Sequence, residues 1–372
     1  MTNKKRYITI FFFFILNISS VNAEQDVIDA NAWVVMNSKT GEILLEKNMN
    51  QKDFPASITK IVTTLVAIKE RDLNEVVTVS QHAANTIGSS LALNPGDQIL
   101  LKDLLYGIML HSGNDGAVAV AEHISGSETA FAKKMTAFTK TIGAKNTNFM
   151  NASGLPNEQH YTTAYDMAII TQYAMTSDVF REIVGTKSYR WESSLWTKEL
   201  EIHEKEEAIR YGLSWTGEPL VINHNRLLFL YEGANGVKNG FTHESRYTVV
   251  GSAKRDDIEI IAVILRSNNV DTAYQDLTIL LDRGFSLALE ILQEEQKQDI
   301  KDEDQLNLSG RDGSEQKQPG ESMTKTDKIE VSNVKEEDTS NTGIQFVFAL
   351  IGFILLIITV YNIASKRGKG NY

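Results

Sequence analysis

Pro55-Ala56-Ser57-Ile58-Thr59-Lys60 opens a segment in which Ile58, Ile61, Val62, Leu65, Val66 and Ile68 recur at helical spacing. Apolar residues in that pattern mark one buried face, so the spacing predicts a helix after Pro55 with Ser57 at or near its N-terminus. Ser57 and Lys60 then share a face one turn apart, where an amine can reach a hydroxyl. Two further boxes follow in order, Ser112-Gly113-Asn114 and Lys238-Asn239-Gly240. Together the three describe a serine acyl-transfer site, because a free serine hydroxyl is a poor nucleophile until a base lies within hydrogen-bond reach.

Working outward, Ala32 to Asn37 and Glu42 to Glu46 are β-rich runs separated by Ser38-Lys39-Thr40-Gly41, the pattern of a hairpin. Helical periodicity returns at Lys102 to Leu110, Asp115 to Ile124 and Ser127 to Ile142, the last closed by Gly143. Thr163-Ala164-Tyr165-Asp166 has the form of a capping box for a helix through Ala174. Thr186 to Thr216 is polar and aromatic and reads as a surface excursion. Arg246 to Ser252 and Ile258 to Leu265 are β-branched and alternating, and Val270 to Leu292 is an amphipathic closing helix. Strands at both ends with helices between them predict an α/β (α+β) fold, one mixed sheet built from distant segments and packed against a helical region.

The compartment is also legible. Lys4, Lys5 and Arg6 precede the apolar run Tyr7 to Ile18, and Val21-Asn22-Ala23 offers small residues for cleavage, so residues 1–23 read as a signal peptide. Residues 344–364 form an apolar stretch long enough to cross a bilayer, followed by Lys366, Arg367 and Lys369. The expected arrangement is a cell-membrane protein with one span, residues 24–293 as an extracellular catalytic domain and residues 365–372 as a basic cytoplasmic tail. Between them, residues 294–343 are polar and free of aromatics, a composition that predicts a disordered stalk.

Composition limits the chemistry. The 372-residue chain has no cysteine, which removes disulfides and thiolate metal sites. Its net charge of -11 argues against nucleic acid as a partner. Seven histidines show no His-x-x-x-His or similar clustering, so neither a metal site nor a cofactor is expected.

Single boxes are weak signals. Ser-x-x-Lys recurs at Ser314, Ser322 and Ser332 within the polar stretch, and the literal Lys39-Thr40-Gly41 sits in the first hairpin turn, ahead of the nucleophile. Lys238 follows both other boxes and runs into a strand pattern, so it is the third-box lysine. Six blocks in order carry a more specific resemblance. They are the segments 55–60, 110–115, 151–155 (Asn151-Ala152-Ser153-Gly154-Leu155), 163–168, 225–228 (Asn225-Arg226-Leu227-Leu228) and 236–242. Over about residues 30–286 the chain resembles the serine D-alanyl-D-alanine carboxypeptidases, the low-molecular-mass penicillin-binding proteins.

The resemblance implies a β-lactamase-like fold with its site between sheet and helices, and removal of the terminal D-Ala from peptidoglycan stem peptides. It implies Ser57 as acyl nucleophile, Lys60 as general base, Ser112 as proton relay and Asn114 as orienting amide. Lys238, Asn239, Gly240, Phe241 and Thr242 would bind substrate, with the backbone N–H groups of Ser57 and Phe241 holding the oxyanion. β-Lactams are the implied covalent inhibitors. The chain departs from the family in carrying Asn239 where threonine is usual, and in having a polar stretch where several relatives have a β-rich domain. The other readings are a transpeptidase or β-lactamase, and a non-catalytic homologue binding wall peptide or a protein partner.

Overall fold

The structure, a computed structural model, describes residues 27–309. The expected signal peptide, residues 310–343 of the expected stalk, and the expected membrane segment 344–364 and tail lie outside the described residues. Among the described residues no helix is long and apolar enough to cross a membrane. The residues through Asn307 form one unit, and it is the one described here.

Strands β1 (Ala32–Asn37) and β2 (Ile43–Lys47) form the predicted hairpin. The chain then builds α1 (Lys60–Glu70), β3 (Val76–Thr78), α2 (Gln81–Ala84), β4 (Gln98–Leu100), α3 (Leu101–Leu110), α4 (Asn114–Ser125) and α5 (Glu128–Thr141). Helices α6 (Ala164–Ala174) and α7 (Asp178–Gly185) follow, then β5 (Ser188–Arg190), α8 (Lys198–Arg210), β6 (Leu220–Ile222) and α9 (Leu227–Leu230). It closes with β7 (Ala234–Thr242), β8 (Arg246–Arg255), β9 (Ile258–Ser267) and α10 (Val270–Ser309).

The central sheet has the order β2-β1-β9-β8-β7. Every pairing in it is antiparallel, which corrects the expected mixed sheet. Turns of two or three residues join β7 to β8 and β8 to β9, and so short a link forces neighbouring strands to run in opposite directions. The chain leaves the sheet at one edge, β2, and returns at the other, β7, so the helices between them cover one face.

Alternation divides the strand residues between two cores. Val34, Met36, Ile261, Val263 and Leu265 face the helical region, while Trp33, Val35, Ile260, Ala262 and Ile264 face α10. Burial on both faces is why β9 is apolar without a break from Ile260 to Leu265, which corrects the expected alternation. Each such aliphatic side chain contributes about 1.5–3 kcal/mol by leaving water. Helix α10 lays Ala273, Leu277, Leu280, Leu281 and Ala288 along the second core, is exposed from Leu292 to Asp302, and runs on to Ser309. Residues 294–309, expected in the stalk, are therefore helical. Their Glu, Lys and Gln content suits a helix extending from one already anchored, where nucleation costs nothing further.

The segment 186–216 is not the expected surface excursion. Strand β5 pairs with β6, Trp191 is 2% exposed and packs on α3 at Gly107, and α8 turns Leu200, Glu204 and Ala208 inward. Those residues recur at i, i+4 and i+8, but the stripe contains a carboxylate whose partners come from distant segments, so local patterning concealed it.

Candidate active site

Ser57 lies in a 3-10 turn, Ala56–Thr59, that runs directly into α1 at Lys60. In a 3-10 turn side chains at i and i+3 eclipse, which sets the Lys60 amine over the Ser57 hydroxyl. The turn begins with Ala56 at φ +50, a left-handed conformation that costs a non-glycine residue about 1–3 kcal/mol. Two contacts hold it there. Thr248 Oγ1 donates to the Pro55 carbonyl at 3.0 Å, and Thr59 Oγ1 lies 2.9 Å from His160 Nε2.

Lys60 is fully buried, and its Nζ donates to Asn114 Oδ1 at 2.7 Å and the Ser153 carbonyl at 2.6 Å, with Ser57 Oγ at 3.0 Å. The amide and carbonyl oxygens can only accept, so they fix two N–H directions and leave the third position of the nitrogen facing Ser57. In the neutral amine that position is the lone pair. Burial, then the nearby Lys238 cation, hold Lys60 well below the ordinary lysine range, against an opposing pull from Asp115.

Asn114 is itself held, its Nδ2 donating to the Ile87 carbonyl at 2.7 Å. Ser112, buried between α3 and α4, has φ +73. Asp115, next in sequence, accepts from the N–H groups of Leu91 and Leu93 and from Ser90 Oγ, tying that loop over the start of α4.

Edge strand β7 supplies the opposite wall. Lys238 pairs with Val250 and is 1% exposed; burial pushes its ammonium down to about 7. Its Nζ lies 3.4 Å from Asn239 Oδ1. Gly240 lets the strand approach the nucleophile: a Cβ there would sit 2.6 Å from Ser57 N. Across the turn, Gly154 at φ +94 does the same for the 151–155 block, where a Cβ would lie 1.9 Å from the Ala56 carbonyl oxygen. Phe241 is exposed at the rim.

The cleft has two arms meeting at Ser57. One, about 230 Å³, is bounded by Ser112, His224, Asn239, Gly240 and Tyr274. The other, about 330 Å³, is bounded by Asn114, Ser153, Gly154 and Thr242. All the candidate residues from the three boxes thus converge. Thr242 is the exception in detail, because its hydroxyl bonds Ser245 Oγ in the β7–β8 turn. Lys39 stays in the first hairpin turn, remote from the cleft in the sheet order.

Sequence reading missed the carbonyls of Ser153 and Ile87, which carry no side-chain signature. It also missed His224. The absence of histidine clustering in the sequence does not persist in the fold, where His111, His203 and His224 converge with Glu204. Three distant segments supply them, so no linear motif could have announced the group.

The family model for D-alanyl-D-alanine carboxypeptidase matches residues 19–269. The chain belongs to the D-alanyl-D-alanine carboxypeptidase family. It is 36% identical to D-alanyl-D-alanine carboxypeptidase DacF of Bacillus subtilis over 69% of this chain and 62% of DacF. It is 32% identical to DacC of Escherichia coli, over 74% of this chain and 66% of DacC. The chain thus spans just under two thirds of both of those relatives. Among solved structures of the family, that of the Streptomyces K15 DD-transpeptidase superposes with a TM-score of 0.61 at 30% identity, covering 70% of this chain and 98% of that one. DacD of Francisella tularensis gives 0.59 at 30% identity, over 72% and 75%. These likenesses show a penicillin-binding-protein fold with mixed α/β content.

Proposed function

We propose that this chain is a membrane-anchored D-alanyl-D-alanine carboxypeptidase that removes the terminal D-Ala of peptidoglycan stem peptides through a Ser57 acyl-enzyme. The observation that carries the reading is the Lys60 amine, buried, fixed by two acceptors and left facing Ser57 Oγ. Neutral Lys60 takes the hydroxyl proton as Ser57 Oγ bonds to the carbonyl carbon of the penultimate D-Ala. The oxyanion is held by the backbone N–H groups of Ser57 and Phe241, which Gly240 allows to approach one another. As the tetrahedral intermediate collapses, the C–N bond breaks and Ser112 relays the proton held by Lys60 to the departing D-Ala amine, which returns Lys60 to its neutral form. Water then attacks the ester with Lys60 again as base, releasing the shortened peptide and restoring Ser57.

Lys238 and Asn239 would hold the carboxylate of the terminal residue in the arm that Asn239 lines, Asn239 offering an amide N–H where the family usually offers a hydroxyl. β-Lactams would acylate Ser57 by the same route. The anchoring half of the proposal rests on the apolar segment 344–364 and its basic flank, with residues 1–23 directing export.

The test is D-Ala release from a synthetic peptide ending in D-Ala-D-Ala, by the wild type and by Ser57→Ala, with intact-mass detection of a penicilloyl adduct. Release and adduct that both vanish in Ser57→Ala are expected. Release that survives the substitution, or a folded wild type giving neither, would overturn the reading. Transfer of the acyl group to an added amine in preference to water would instead favour transpeptidation. Removal of residues 344–372 should shift the protein from the membrane fraction to the medium.

A further inference from the structure

His111, His203 and His224 form a mutual triangle of rings, with centroids 4.8, 5.0 and 5.2 Å apart. Glu204 is fully buried beside them, and one ligand atom from each of the four side chains lies within 4.8 Å of every other. The residues come from the turn before α4, from α8 and from the loop after β6. The geometry points to a binding site for a single divalent transition-metal ion of the zinc class, held by these three imidazoles and the Glu204 carboxylate, beside the catalytic cleft.

Two features fit a metal better than a polar core. His224 Nε2 is buried without a hydrogen-bond partner, an orphan that destabilises the fold unless something fills it. The outer contacts of a metal site are already made: His111 Nε2 donates to the Ser90 carbonyl at 2.9 Å while its Nδ1 faces Glu204 Oε1 at 2.5 Å, and Glu204 Oε2 accepts from the Ile222 N–H at 2.6 Å. An ion in place of the proton between His111 Nδ1 and Glu204 Oε1 keeps both supporting bonds, the arrangement that orients metal-bound imidazoles and carboxylates.

Four ligands at about 2.0–2.2 Å in a tetrahedron lie roughly 3.3–3.5 Å apart, so the His111–Glu204 pair, at 2.5 Å, must part by about 1 Å while the wider pairs draw in. His203, exposed on α8, is free to make that movement by rotation. The ion would then clamp the 186–216 segment to the turn that carries Ser112, one residue from His111. This site is separate from the acyl-transfer reading and survives its failure.

The experiment is titration of the full-length chain, purified without a histidine tag and stripped with chelator, with Co²⁺ and with Zn²⁺. One equivalent of Co²⁺ should give the intense visible absorption of tetrahedral coordination. Zn²⁺ at a hundredfold excess over its dissociation constant should raise Tm by about 5 °C. Both effects should vanish in His203→Ala, whose side chain is exposed and outside the core, and His203→Asn provides a second such variant. The surface pairs His82–Glu122 and His123–Glu75 are the competing sites. Binding that persists unchanged in both His203 variants would place the ion there and overturn the proposal, as would a wild type with neither spectrum nor stabilisation.

Discussion

Gly240→Ala tests whether the approach of β7 to the nucleophile is functional. The new Cβ would sit 2.6 Å from Ser57 N, 2.8 Å from Thr248 Oγ1 and 3.1 Å from the Ala56 Cβ, where ordinary contact starts at 3.4 Å. The strand and the turn must therefore part by about 0.8 Å at Ser57 N, the difference between 3.4 and 2.6 Å. Neither side yields easily. Strand β7 is registered against β8 from Ala234 to Thr242, and the turn is pinned through Pro55 by Thr248. Gly240 does not have a positive φ, so alanine adds bulk without backbone strain.

Such overpacking costs about 1–3 kcal/mol of stability, or roughly 2–4 °C in Tm per kcal/mol for a domain of this class. Its effect on the chemistry should be larger, because the displaced N–H groups are the proposed oxyanion donors, and losing one such donor lowers turnover about 10²–10³-fold. The assay is the second-order rate of Ser57 acylation by a fluorescent penicillin at 25 °C, beside a thermal melt. A loss of about a hundredfold or more in a protein still folded at the assay temperature is expected. Acylation within about threefold of wild type would refute the oxyanion assignment.

Acylation should rise with pH along a limb well below 10.5, since it needs neutral Lys60, and Lys238→Met should move that limb upward by removing the second cause of the shift. The same substitution should stabilise the fold: with its pKa pushed down to about 7, Lys238 binds its proton less tightly folded than unfolded, a penalty fully present below 7 and relieved as pH rises toward 10.5. A melt at pH 6 that is not higher for Lys238→Met would count against this. Asn114→Asp keeps the acceptor for Lys60 but adds an anion and loses the donor to Ile87, so the acylation limb should shift to higher pH and the rate at pH 7 fall about tenfold or more; an unchanged pH profile would sink the argument. Trp191→Ala should cost about 3–5 kcal/mol, read as a lowered urea midpoint, if the 186–216 segment is part of the core. A change under about 1 kcal/mol would return that segment to the surface.

The contrast between what the sequence discloses and what it hides follows from the distance over which each residue finds its partner. Ser57 and Lys60 are three apart and share a face by local geometry alone, so their pairing is visible before any fold is known. The two-sided burial of β9 writes itself as an apolar run, and α1 and α10 show their stripes at period 3.6. Lys60 also needs the Ser153 carbonyl, 93 residues away, and a backbone oxygen has no letter in the sequence. Glu204 shows the same limit more sharply. In the run Lys198 to Arg210 it is one of five glutamates, and composition assigns all of them to solvent. Its burial becomes intelligible only when His111, from 93 residues upstream, and the Ile222 N–H supply compensating donors. A charged residue can enter a core when its partners are brought by other elements, and those elements here are the ones that also deliver Ser112 and His224 to the cleft. The segment least legible in the sequence is thus coupled most directly to the catalytic turn, and for the same reason: its interactions are made entirely at long range.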